Sequence, residues 1–167
     1  MFPARASPIL TGWSNLSPMT TGTRSAWAEH ARAELDRAGH RRGTARTAVI
    51  EMLAQEACAL TALEIEDGLR GSHRRVSRAS IYRILDLLVA HGLVNRLDLG
   101  GGLARYETVD PRGEHHHHLV CDRCGRLTPF DDRGLERAIG RVSERLEGFR
   151  VSDHEVVLHG ACNTCSA

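Results

Sequence analysis

Apolar positions along this chain change rhythm twice. Between residues 26 and 91 they recur at three- and four-residue spacing, the period of helices with one buried face. AWAEHARAELDRA (26–38) has helical composition, and Gly39 offers a stop. Thr44 is placed to cap a second helix through about Gln55, with Val49, Ile50, Met52 and Leu53 as its stripe. Thr61-Ala-Leu-Glu64 is a capping box opening a short helix to about Leu69. After the loop GSHRR, Ser77 caps a helix from about Arg78 to His91. Its core positions are Ile81, Ile84, Leu85, Leu88 and Val89, and Gly92 ends it.

The rhythm then shortens. LVNRLDL and LARYETV, joined by Gly100-Gly101-Gly102, read as two strands around a glycine turn. The last three of these helices, followed by a hairpin, predict a winged helix-turn-helix within 26–109, with 110–113 (Asp-Pro-Arg-Gly) as linker. In 114–167, LVC and RLTPF predict strands beside a Cys pair. Asp131 is placed to cap a helix over about 132–147, with Leu135, Ile139, Val142 and Leu146 on one face. FRVSDHEVVLHG predicts a closing strand. The class is therefore α+β, a winged helix followed by a small α/β domain. Its apolar helix face suits either a second subunit or its own sheet.

Composition sharpens this picture in three ways. The chain has 167 residues and only 4% aromatics, so neither domain has much core, and small domains of that kind recruit metals or partner subunits. Net charge is +1, all 22 basic residues being arginine, and 41–83 holds eight Arg against five acids. That mild excess lends nucleic-acid binding weak support. No apolar run is long enough for a membrane helix. The segment MFPARASPILTGWSNLSPMTTGT reads as a poor secretion signal, and 1–25 reads as disordered, with Met1 or Met19 as the start. The expected location is cytoplasmic and reducing, away from membranes, so Cys pairs are read first as metal ligands.

Two such pairs are present. Cys121-Asp-Arg-Cys124-Gly and Cys162-Asn-Thr-Cys165 are separated by 37 residues. Two C-x2-C knuckles complete a tetrahedral four-thiolate Zn2+ site, closed and therefore structural. Cys58 is left over and suits a small buried hydrophobe or a ligand. His115-His116-His117-His118 immediately precede the first knuckle. On a strand, alternation sends His116 and His118 to one face and His115 and His117 to the other. Each pair needs further ligands, and Glu107, Glu136 and His154 are candidates.

Taken together, SRASIYRILDLLVAHGLV, ARYE, HHHHLVCDRCG, DHEVVLHGAC and the last C-x-x-C resemble the ferric uptake regulator (Fur) superfamily from about Arg42 to Cys165. The resemblance implies a homodimer built on a C-terminal dimerisation domain, whose winged helices bind palindromic promoter DNA when a regulatory divalent metal is loaded. It implies a repressor of metal-ion (iron or zinc) homeostasis genes, not an enzyme. By position it places Arg42, Ser80, Tyr82 and Arg83 at DNA, Tyr82 on a thymine methyl and Arg83 on a base or phosphate. It assigns His115, His117, Glu136 and His154 to a dimer-domain metal site, and Glu107, His116 and His118 to a sensing site between the domains. The regulatory ion implied is Fe2+ or Zn2+, with Mn2+ a further candidate. Where iron and peroxide sensors of the family carry a sensing-site His, this chain has Ala59. Pro129 replaces the Asp of the peroxide sensors. The sensing site is thus one ligand short, and Cys58, His91 or the Asn95 region are the candidates.

Two rival readings make different demands. A zinc enzyme using the His cluster needs an open coordination position and a general base, and no HExxH motif is present. A metal-buffering protein would keep its metal stoichiometry without Tyr82 and Arg83.

Overall fold

The computed structural model describes residues 21–56, 58–99, 102–110 and 116–166. Five helices and six strands follow one another among them: α1 (Thr21–Arg37), α2 (Thr44–Gln55), β1 (Leu60–Thr61), α3 (Ala62–Gly71), α4 (Arg78–Ala90), β2 (Val94–Leu97), β3 (Arg105–Thr108), β4 (His117–Cys121), β5 (Leu127–Phe130), α5 (Arg133–Glu144) and β6 (Val157–Gly160). None of these helices is long and apolar enough to cross a membrane.

The helix ends follow local capping chemistry. Thr61 and Glu64 form both halves of the capping box that starts α3, and the Ser77 hydroxyl accepts from the Ser80 N–H at the start of α4. Gly92 takes a left-handed φ of +64° and closes α4. Three helix starts differ from the sequence expectation, and α5 also ends earlier, at Glu144 instead of about 147. α1 begins at Thr21, so 21–25 are helical although expected in the disordered segment; 1–20 lie outside the described residues. Gly43, which has no side chain, is the cap residue of α2, and Thr44 is already inside the helix. The cap of α5 is Asp132, one residue after Asp131, because its Oδ1 is the oxygen that accepts from Leu135 N at 2.7 Å. The expected linker lies outside the described residues except for Asp110.

The first sheet has the order β1-β3-β2, both pairings antiparallel. β1 was absent from the sequence expectation, since two residues have no period to detect. Its helices bury Trp27, Leu35, Val49, Ile50, Ile65, Ile81, Leu85 and Leu88 against Val94 and Tyr106. The Trp27 indole donates to the Leu93 carbonyl at 3.2 Å, which ties α1 to the entry of β2.

The second sheet has the order β5-β4-β6, antiparallel to β5 and parallel to β6. β6 covers only Val157–Gly160 of the long strand expected, because β4 offers it only His118–Cys121 to pair with. Among the described residues from 116 on, only His117, His118 and Cys121 are buried. Helix α5 buries none, while Val142, Leu146 and Phe149 are exposed. Two of those three buried residues are imidazoles and the third is a thiol, so side chains of metal-ligating type occupy the place of a hydrophobic core.

Candidate metal centres

Three groups of ligand-type side chains come together, each with its donor atoms within 4.8 Å of one another. The first is Cys121, Cys124, Cys162 and Cys165. Cys121 ends β4, and parallel pairing sets it beside Gly160, which brings the second knuckle next to the first. Gly125 adopts φ +70° and donates its N–H to the Cys121 carbonyl at 2.8 Å, closing the first turn. The second turn closes through Cys165 N to the Cys162 carbonyl, also at 2.8 Å. The sulfurs of Cys124 and Cys162 are 3.8 Å apart. Cys162 N–H points at the Cys121 sulfur at 3.3 Å, and such backbone N–H groups hold that thiol down to about 6. Hydrogen bonds with the crowded Cys162 and Cys124 sulfurs push Cys165 up to about 12. Four such thiols suit a dication, which relieves the crowding as it deprotonates them.

The second group is His117, Glu136 and His154. His117, 1% exposed, places Nε2 at 2.6 Å from Glu136 Oε1. His154 Nε2 lies 3.2 Å from the other oxygen of the same carboxylate. The Asp132 cap fixes the start of α5, whose first turn carries Glu136. His115, expected in this set, lies outside the described residues.

The third group is Cys58, Glu107, His116 and His118. Glu107, on β3, sets Oε1 at 2.9 Å from His116 Nε2 and 3.4 Å from His118 Nε2. Burial pushes the Glu107 carboxyl up, but hydrogen bonds from His116 and His118 outweigh it and hold the group at about 2. The same contact raises His116. His118 is 2% exposed, and its Nδ1 finds no hydrogen-bond partner among the described residues. Cys58 enters from the bend between α2 and β1. Burial and then the Glu107 carboxylate push its thiol up to about 12. The thiolate, carboxylate and two imidazoles form a donor set that fits a divalent transition metal.

Of the other two candidates for the missing ligand, His91 is drawn elsewhere, its Nε2 lying 2.9 Å from His40 Nε2. Asn95 faces Glu107 across the β2–β3 ladder and is exposed. A side chain that sequence reasoning passed over is Arg105, two residues from Glu107 on β3. Its guanidinium donates to the Gly125 carbonyl of the first knuckle at 2.9 Å, to Glu64 at 3.2 Å and to the Ala59 carbonyl at 3.4 Å. ARYE carried it only as a motif letter; no local pattern announces a contact of this range.

On α4, Tyr82 is 42% exposed and Arg83 is exposed beside it. Ser80 Oγ sits 2.9 Å from Ser77 Oγ and accepts from Arg83 at 3.2 Å, which steadies the first turn. Arg42, just before α2, is tied to Asp36, with Nε 2.8 Å from Oδ2.

A model of the ferric uptake regulator family matches residues 37–159. The ferric uptake regulation protein of Legionella pneumophila is 37% identical over 106 residues, 64% of this chain and 76% of that protein. That of Synechococcus elongatus is 30% identical over 140 residues, 83% and 94% of the two chains. The structure is similar to the ferric uptake regulator of Helicobacter pylori, described as having three functional metal-binding sites. The TM-score is 0.74 at 25% identity, over 87% of this chain and 95% of that one.

Proposed function

The chain belongs to the ferric uptake regulator family, and from that premise we propose how its three ligand clusters serve a metal-responsive repressor of iron or zinc homeostasis genes. Members of the family are dimeric DNA-binding regulators that carry a structural zinc and regulatory iron, manganese or zinc sites. In this reading Cys121, Cys124, Cys162 and Cys165 hold the structural zinc. His117, Glu136 and His154, together with His115, form the dimer-domain site. Glu107, His116 and His118 form the sensing site.

One observation carries the reading. Glu107 stands on β3 of the DNA-binding sheet, while His116 and His118 belong to the start of the second sheet, and they meet at 2.9 and 3.4 Å. A divalent ion held by these residues ties the wing to the dimerisation domain. The two heads of a homodimer are then fixed at one separation, and both half-sites of a palindrome are met without an ordering cost. Tyr82 and Arg83 are exposed on α4; in this reading Tyr82 meets a thymine methyl and Arg83 a base or phosphate, with Arg42 at the backbone and Ser80 also at DNA.

Selection from a random duplex library, run with Zn2+ or Fe2+ and again with chelator, tests this. The expected result is a palindromic sequence enriched only with metal, whose binding weakens steeply as salt rises. Equal enrichment with and without metal overturns the sensing role.

A further inference from the structure

We propose that Cys58 is the fourth ligand of the sensing site, and that its thiolate makes that site selective for zinc over harder divalent ions. The proposal rests on the reading of Glu107, His116 and His118 as the sensing centre. It adds the ligand and the metal, both of which the sequence left open.

β1 pairs antiparallel with β3, Leu60 opposite Tyr106 and Thr61 opposite Arg105. That pairing delivers the residues just before β1 to the strand that carries Glu107. The nearer of them, Ala59, is buried and has no donor to offer. At Cys58 the chain bends, and its Sγ lies within 4.8 Å of donor atoms of Glu107, His116 and His118. Four donors from four points of the chain thus enclose one volume. His118 is buried there, and Glu107 is already in contact with both imidazoles.

Ligand chemistry then chooses among ions. One thiolate and one carboxylate neutralise a dication, and two neutral imidazoles complete four-coordination. Zn2+ is borderline-soft, accepts S, N and O donors, and has no geometric preference of its own against a tetrahedron. Mn2+ favours carboxylate, carbonyl and water ligands, usually six of them, and a thiolate displaces the donors it holds best. Replacing sulfur by oxygen at Cys58 should therefore cost zinc far more than manganese.

The test uses the full chain with its structural zinc verified by elemental analysis. Co2+ is added and followed optically, because a thiolate on Co2+ gives a near-ultraviolet charge-transfer band that oxygen and nitrogen donors do not. With the four knuckle sulfurs held by zinc, that band reports Cys58. The wild-type chain is expected to show the band, and so is Glu136→Ala, in which the other His/Glu cluster is disabled. Cys58→Ser should lose it and weaken Zn2+ binding at least about tenfold. Mn2+ binding should move by less than about threefold. Cys58→His, which keeps a fourth donor, should retain metal binding without the band. Unchanged structural zinc in each variant shows that it has folded. Visible d–d bands without charge transfer in the wild-type chain, or an unchanged zinc-to-manganese ratio in Cys58→Ser, overturns the thiolate ligand and leaves the sensing site standing. Metal uptake identical in the wild-type chain and in Glu107→Ala overturns the sensing site and this proposal with it.

Discussion

Arg105 links three parts of the molecule, and its removal should loosen one of them in particular. Its bond to the Gly125 carbonyl, 2.9 Å long with a charged donor, belongs to a class contributing about 1.5–3 kcal/mol. Gly125 is exposed, so water replaces the lost donor and the lower end, about 1.5 kcal/mol, applies. The Glu64 pair adds less than about 1 kcal/mol, because Glu64 is 49% exposed and already serves the α3 cap. The 3.4 Å contact to Ala59 is long for a hydrogen bond and adds little. Arg105→Ala should thus weaken the tie between the wing and the first knuckle by about 1.5 kcal/mol, roughly tenfold in the opening equilibrium. Native-state hydrogen exchange on the zinc-stapled chain without regulatory metal reads this directly. The Gly125 amide, bonded to the Cys121 carbonyl, should exchange about tenfold faster in Arg105→Ala. Glu64→Ala, which loses the side-chain half of the capping box but keeps the link, should leave that amide unchanged. Regulatory metal should shrink the difference, since the Glu107–His116–His118 connection then holds the same two sheets together. Identical exchange at the knuckle in wild type and Arg105→Ala would refute the reasoning.

Three further outcomes follow from the same geometry. Trp27→Ala should destabilise the winged helix by about 3–5 kcal/mol, as for a buried aromatic. Trp27→Phe should cost only about 1 kcal/mol, because the Leu93 carbonyl keeps its bond from Val109 N; urea denaturation separates the two. Arg83→Ala should lower affinity for the selected duplex by about 1–3 kcal/mol and relax preference at one base if it reads an edge, or reduce the salt slope by about one if it meets a phosphate. Stripping the structural zinc with a strong chelator, or Cys162→Ser, should unfold β4–β6 while the winged helix keeps its melting transition. Far-ultraviolet circular dichroism with exchange mapping distinguishes this from global unfolding.

Much of this protein is legible in its sequence because the relevant physics is local. The capping box at Thr61, the Ser77 cap and the Gly92 stop act within one helical turn, and each falls where the sequence put it. The C-x2-C spacing is likewise a property of a few bonds, and alternation along β4 divides His116 and His118 from His117 before any contact is known. Other features depend on segments distant in sequence and left no local trace. A two-residue strand, β1, pairs with β3 and delivers Cys58 to Glu107, while His91, an equal candidate by composition, is taken up by His40. Arg105 and Gly125 meet only because the start of β3 lies against the first knuckle. The sequence by itself determined the helices and the longer strands, the knuckles and the two-way division of the histidines, all set by short-range geometry. Which of Cys58, His91 and Asn95 comes beside Glu107, His116 and His118, and what ties the winged helix to the first knuckle, were decided by strand pairing and a bend at Cys58, where long-range packing has no period to read.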